Sequence, residues 1–474
     1  MRVIEKEPSV LYDFSSEKPR VSPDGWMETL LNATPRKGGT ARCVPSARPG
    51  AGVRAVRQFW RRGDASSYDR ALHEDGMKME PSSCGTGGSV GASDHPVLAA
   101  LKRRLRDGTK PGSRAAHDTM KIGLAVEGGG MKGVVSAGAC GELLRLGMYD
   151  CFDAVYGSSA GAMNLTYYLA KQPEGVKAYQ EDLVDGAFLD LKRLPKTRRS
   201  RRLMGTSRGR APAMDVSYLV DGVMDGATGR ALRWSDVLAS TVAFNVVATS
   251  LDTLTPVILH SPFKDVADLK QALKASAAVP LFAGPEPVRH RGQRLVDAAV
   301  MEPVPIHAAA ADGCTHVLVL LTRVLDDSSR DEGARDPKGK KRRKKKRSLV
   351  TRAFGPLAYA AVRGALMSPR HMRDAWRTHD GTRALVRDGA AVALDEALLR
   401  ALRFPHEPSE FPHAPAVFCV APDPGALPKK GVSSLCVDPE TLEAGNAAGA
   451  EAVFRALGRL RPDAGEGPSA GGDR

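Results

Sequence analysis

Aromatic residues make up only 5% of the 474 positions, so a core is expected over part of the chain and not over all of it. No run of uncharged apolar residues approaches the ~20 that a membrane-spanning helix needs, which excludes that class as a reading of the sequence. The seven cysteines (Cys43, Cys84, Cys140, Cys151, Cys314, Cys419 and Cys436) are odd in number and far apart, with no C-x-x-C among them. That excludes a zinc ribbon or a thioredoxin-like redox motif and fits reduced thiols inside a cell. Cys140, Cys151, Cys314 and Cys419 sit in small or apolar runs and read as small core hydrophobes. There is no internal repeat and no clustering of metal-ligating residues, so neither a metal nor a cofactor is expected. The opening MRVIEKEPSVLYDF lacks the apolar stretch of a secretory signal and carries Glu5, Glu7 and Asp13, which organelle transit peptides avoid. The expected location is intracellular, cytoplasmic or peripheral to a membrane.

An acidic excess is also missing. Lys and Arg number 69 against 54 Asp and Glu, a net charge of +15, so an anionic partner is expected: a membrane surface, a nucleic acid or a polyphosphate. Eight of those charges are consecutive: Lys340, Lys341, Arg342, Arg343, Lys344, Lys345, Lys346 and Arg347. The rest of the chain is only mildly basic.

Composition divides the chain. Residues 1–118 hold breaker-rich stretches such as SSCGTGGSVGAS (82–93) and read as mostly disordered, with a short amphipathic piece at 96–106. From Lys121 to about Arg323, apolar strand patterns alternate with amphipathic helical ones, the signature of an α/β domain with a mainly parallel sheet. A charged insertion follows at 324–348. Helical patterns at 356–367, 371–389 and 391–402, a strand AVFCVAP (416–422) and a helix over 439–459 continue the domain to 460. Residues 461–474 read as a disordered tail.

The segment IGLAVEGGGMKGVVSAGACGELLRLG (122–147) runs from an apolar strand through glycines into a helix whose Val135, Ala139, Leu143 and Leu146 share one face. Glycines between a strand and a helix leave backbone N–H groups bare beside the positive end of the helix, where a phosphate or a developing oxyanion can be held. GGGMKG also fits G-x-G-x-x-G in form, and Asp150 or Asp153 would be the acidic partner of a dinucleotide site. The bland alternative is a turn that only lets strand and helix pack closely.

FDAVYGSSAGAMNLTYYLAK (152–171) repeats the strand, turn and helix, and Gly157-Ser158-Ser159-Ala160-Gly161 is G-x-S-x-G. That spacing fits a nucleophile elbow, in which the central serine sits on a strained turn with small residues two places to either side. The alternative is an ordinary helix cap with Ser159 as its N-cap. Ser158 is the neighbour of the central position and receives no catalytic role. A nucleophilic serine needs a base. RLVDAAV reads as a strand ending in Asp297, and His307 ten residues on would complete a Ser-Asp-His triad.

These segments together resemble the patatin-like phospholipases, in particular the bacterial-type branch with EGGGMRG and GVSAGA. The resemblance rests on GGGMKG (128–133), GSSAG (157–161) and DAA (297–299), supported by ASAAVPLFAGPEP (275–287), VLVLLTR (317–323) and DPETLEAGNAAGAEAV (438–453). It implies a three-layer α/β/α fold around a mainly parallel sheet. It implies a lipid acyl hydrolase with a Ser159–Asp297 dyad, an oxyanion hole from Gly128, Gly129, Gly130 and Lys132, and motif glycines Gly133, Gly157 and Gly161. No histidine is then required. The sequence departs from the family where Ala298 follows the aspartate in place of glycine. A positive φ there would disfavour alanine and mis-aim Asp297. The family's asparagine in the next turn is likewise replaced, by Glu302 and Pro303. A catalytically silent lipid-binding relative is therefore the alternative function. The basic run would serve peripheral contact with anionic membrane. It could equally be a solvated loop, an import signal or an RNA patch, and without interleaved aromatics nucleic-acid recognition is disfavoured.

Overall fold

The computed structural model describes residues 95–193, 211–280, 282–284, 286–324, 415–423, 425–428 and 431–460. The basic run at 340–347, the helical patterns between 356 and 402, residues 1–94 and the tail at 461–474 lie outside the described residues.

Eight strands form one mixed, mostly parallel sheet. They are β1 (Ile122–Val126), β2 (Ala154–Ser158), β3 (Ala243–Ser250), β4 (Pro256–His260), β5 (Val288–His290), β6 (Gln293–Val296), β7 (His316–Leu320) and β8 (Ala416–Val420). The order across the sheet is β5-β6-β3-β2-β1-β7-β8. β8, β7, β1, β2 and β3 run parallel to one another. One edge of β3 is shared: β2 pairs parallel along Ala243–Val247 and β6 antiparallel at Thr249–Ser250, while β4 pairs antiparallel along Asn245–Thr249 on the other edge.

Seven helices flank the sheet among the described residues: α1 (Pro96–Asp107), α2 (Gly133–Arg145), α3 (Ala160–Leu169), α4 (Trp234–Leu238), α5 (Val266–Ser276), α6 (Ile306–Ala311) and α7 (Pro439–Leu457). Alternation along the central strands builds the two faces. Leu124, Val126, Leu318 and Leu320 point into the larger core with the apolar sides of α1, α2, α3, α5 and α7. Ala125, Val317 and Val319 point into a smaller core against Ile306 and the alanines of α6. The architecture is the three-layer α/β/α arrangement expected from the sequence.

α2 and α7 pack closely because glycine removes the side chains between them. A Cβ on Gly449 would lie 1.8 Å from the Val135 carbonyl oxygen, and one on Gly138 would lie 2.1 Å from that of Asn446. A second tie joins α7's approach segment to the first glycine loop: the Met131 N–H donates to the Ser434 carbonyl at 3.2 Å.

One boundary moves. Residues 95–118 do not belong with a disordered region. Leu98, Leu101 and Arg104 of α1 are buried, and Arg104 reaches Asp118, Asp153 and the carbonyls of Met120 and Cys151. The amphipathic pattern of 96–106 points to a helix, but a short helix gains its stability from the surface it packs on. That surface, β7 and β8, is supplied by residues over 200 positions away.

Candidate active site

β1 and β2 are parallel neighbours, with Val126 opposite Gly157, so the segments that leave their C-terminal ends meet. In open α/β sheets this end is where ligands bind. From β1 the chain enters Glu127 and the glycine loop. From β2 it enters Ser159.

Ser159 has φ 53 and ψ −120, a strained conformation for a residue with a side chain. Strain of this kind costs on the order of 1–3 kcal/mol and persists only where surrounding contacts fix it. Its side chain makes no capping hydrogen bond to α3, so the ordinary helix-cap reading does not describe it. The flanking glycines are required by close approach. A Cβ on Gly161 would lie 2.3 Å from the Val126 carbonyl oxygen, and one on Gly157 would lie 2.4 Å from Cα of Ala162. Ser158 is buried, and its hydroxyl donates to the Glu302 carbonyl at 2.8 Å, an anchoring role only.

The glycine loop lies directly on this turn. A Cβ on Gly128 would be 2.6 Å from the Ser158 carbonyl oxygen and 3.1 Å from Cβ of Ser159. Gly129 and Gly130 have φ 156 and 60, which opens the loop before α2. The three glycine amides are not equivalent. The Gly128 N–H donates to the Pro303 carbonyl at 3.1 Å. Among the described residues the N–H groups of Gly129 and Gly130 have no acceptor within the protein, and both stand ahead of α2. Lys132 lies beside Gly129, whose Cβ would be 3.2 Å from that of Lys132. Glu127 ties the loop to the end of β7: it accepts the Thr322 N–H at 2.7 Å and pairs with Arg323 at 3.2 Å.

Asp297 follows β6 directly and is fully buried. Ser158 pairs with Val247, and Val296 pairs with Thr249, on the same edge of β3, since β4 pairs with both Val247 and Thr249 on the other. β2 runs parallel and β6 antiparallel to β3, so one step beyond each pair Ser159 and Asp297 approach each other along that edge, beside the C-terminal end of β3. Backbone bonds fix Asp297 at both ends: its N–H donates to the Ala278 carbonyl at 3.0 Å, and its carbonyl accepts from Thr249 Oγ1 at 3.0 Å. Its Oδ1 accepts the Ala299 N–H at 2.8 Å. Ala298 needs no glycine. It starts a short 3-10 turn, and its φ is not positive.

Three groups not anticipated from sequence complete the surroundings. Ser276, at the end of α5, accepts the Ser159 N–H on its hydroxyl at 2.8 Å. Asn164 of α3 donates to the Gly133 carbonyl at 2.8 Å and to Ser136 Oγ at 3.0 Å, joining the starts of α2 and α3. Glu302 accepts the Ala308 N–H at 2.9 Å, and its Oε1 is 4.0 Å from Nδ1 of His307. Both of these side chains are fully buried. Burial pushes the Glu302 carboxyl up to about 8, against hydrogen bonds from the Ala308 and His307 backbone that pull it down. The His307 ring thus faces Glu302 from α6. Asp153 does not sit at the glycine loop either. It accepts the N–H of Ile122, the first residue of β1, whereas the loop leaves the other end of that strand. Five residues at ~3.3 Å each separate the two ends, which removes Asp153 as the acidic partner of a dinucleotide site. No group of three or more metal-ligating side chains occurs among the described residues, and no helix there is long and apolar enough to cross a membrane.

Residues 124–310 match the sequence model of the patatin-like phospholipases. A protein of Escherichia coli (strain K12), the uncharacterized protein YjjU, is 25% identical over 203 residues, which are 43% of this chain and 52% of that protein. The chain thus spans about half the length of the curated relative it matches. Among solved structures, human GIVD cytosolic phospholipase A2 with a methyl gamma-linolenyl fluorophosphonate inhibitor and terbium chloride matches over 78% of this chain and 64% of that one. The identity there is 14% and the TM-score 0.31, too loose to bear on the site.

Proposed function

We propose that this protein, which matches the patatin-like phospholipase model over 124–310, is a serine acyl hydrolase that cleaves fatty-acyl esters of phospholipids or neutral lipids. The observation that carries the reading is the strained Ser159 turn, packed against a glycine loop with two uncommitted amides and met by the buried Asp297 on the same edge of β3.

Ser159 is the nucleophile and Asp297 the general base. The Ser159 oxygen attacks the ester carbonyl carbon while its proton passes to the Asp297 carboxylate. The carbonyl oxygen becomes an oxyanion, received by the N–H groups of Gly129 and Gly130, with Lys132 adding positive charge nearby. Gly128 shapes this hole but leaves its own amide on Pro303, so two donors remain of the three expected. Removing one such donor typically lowers kcat by ~10²–10³. Collapse of the intermediate expels the alcohol, which takes the proton from Asp297, and leaves an acyl-Ser159 ester. Water then attacks this ester, gives its proton to Asp297, and the fatty acid departs as Ser159 is restored. No histidine or metal is used in these steps. Ala298 is one of the two departures behind the silent lipid-binding alternative, and an alanine with ordinary φ does not mis-aim its neighbour. The eight-cation run from Lys340 to Arg347 brings the enzyme to anionic lipid, with ~1 kcal/mol available per cation near such a surface.

The test is fatty-acid release from vesicles of mixed phospholipid and neutral lipid by wild type, Ser159→Ala and Asp297→Asn. Release by wild type and background rates in both variants are expected. Release that survives both substitutions would place the chemistry elsewhere, and none from wild type would favour the silent reading.

A further inference from the structure

The hydroxyl of Ser276 is bonded in an unusual direction. Serine and threonine in helices commonly turn back to a carbonyl of the preceding turn. Ser136 does so to Gly133, and Thr166 to Met163. Ser276 instead leaves its helix. It accepts the Ser159 N–H at 2.8 Å and donates to the Val247 carbonyl at 2.5 Å, and it is fully buried. Val247 is the β3 partner of Ser158, so this one hydroxyl bridges strand and elbow at the point where the chain takes its strained turn. Two residues on, the Ala278 carbonyl accepts the Asp297 N–H at 3.0 Å. One turn of chain at the end of α5 therefore grips the backbones of both residues assigned to the dyad.

We infer that Ser276 is a positioning residue for acyl transfer: its hydroxyl fixes the backbone of Ser159 and, with the Ala278 carbonyl, sets the placement of Ser159 relative to Asp297. This rests on the reading of Ser159 as nucleophile. Substrate is not touched by Ser276. Its loss frees the Ser159 N–H to seek another acceptor and lets the turn relax, so the oxygen spends less time in attacking position while lipid binding is unaltered.

The experiment measures the rate at which a fluorophosphonate probe modifies wild type, Ser159→Ala, Ser276→Ala and Ser276→Thr, together with kcat and KM for ester hydrolysis. Labelling of wild type and none of Ser159→Ala is the baseline. Ser276→Ala is expected to label about 10-fold more slowly, the worth of one ordinary hydrogen bond to the attacking geometry, with kcat lowered equally and KM unchanged. Ser276→Thr keeps the hydroxyl and is expected to recover most of the rate. A folded Ser276→Ala that labels at the wild-type rate overturns this inference and leaves the nucleophile in place. A folded Ser276→Thr as slow as the alanine variant overturns it too. If Ser276→Ala does not fold, Ser276→Cys, with its weaker acceptor, takes its place; an intermediate rate supports the inference and a wild-type rate overturns it. Absence of Ser159-dependent labelling in wild type overturns the nucleophile assignment and this inference together.

Discussion

Buried Arg104 and half-buried Asp153 form an ion pair at 2.6 Å that fastens α1 to the sheet at its end away from Ser159. The same Asp153 oxygen accepts the N–H of Ile122 at 2.8 Å, so one carboxylate both starts β1 and receives the helix. Arg114 occupies its other oxygen at 3.0 Å, and Arg104 also pairs with Asp118 at 3.1 Å.

Replacing Arg104 by Met should therefore destabilise the fold by about 3 kcal/mol, the lower end of the cost of stranding a buried charge, because Arg114 still compensates Asp153. The rate per folded molecule should be unchanged. Urea unfolding followed by tryptophan fluorescence measures the first, and probe labelling of the folded fraction the second. A loss below about 1 kcal/mol would mean that the cluster contributes little net stability.

Ala298→Gly restores the residue that the family pattern has at that position. Since Ala298 is buried and its φ is ordinary, glycine gains no geometry and loses a packed methyl group. Stability should fall by roughly 1 kcal/mol with no gain in hydrolysis. A ~10-fold faster variant, about 1.4 kcal/mol of barrier, would show that alanine does hold Asp297 off its best position.

Glu302 gives stability a specific pH dependence. Its carboxyl is raised from 4.5 to about 8 by burial, so the folded protein holds a proton that the unfolded chain has released between those values. The stabilisation is full below about pH 4.5 and is lost as pH rises through about 8. Glu302→Gln mimics the protonated form and keeps an acceptor for the Ala308 N–H. Wild type should weaken relative to this variant between pH 5 and pH 8 in parallel urea titrations, a window spanning the two values above. Equal slopes for the two proteins would show that Glu302 keeps its charge in the fold, balanced by His307 on α6.

What could be read from the sequence was what is local. The apolar runs at 122–126, 154–158 and 416–420 are strands where they were expected, and 439–457 is a helix. Each is marked by its own periodicity. The glycines of the elbow could be recognised because a fixed spacing of small residues reports a close approach. Ser276 and Glu302 could not, because their meaning lies in bonds to residues far away in sequence: 117 positions for the Ser276–Ser159 contact and 144 for the Ser158–Glu302 one. Arg104 read as one of several cations on an amphipathic helix, and nothing local distinguishes it from the exposed Arg106. The antiparallel setting of β6 was equally hidden, since a four-residue strand carries no mark of its direction.

The grip of Ser434 and α7 on the glycine loop has a consequence for dividing the chain. The Met131 N–H rests on the Ser434 carbonyl, and Val135 of α2 lies against Gly449. Residues 124–310 contain both Ser159 and Asp297, yet the backbone that shapes the loop beside Ser159 is braced by a segment beginning more than 100 residues after that stretch ends. The recognisable stretch is thus not by itself a unit of folding. A fragment cut at its borders would keep every group assigned to the chemistry while baring the apolar side of α2 and releasing one wall of the loop.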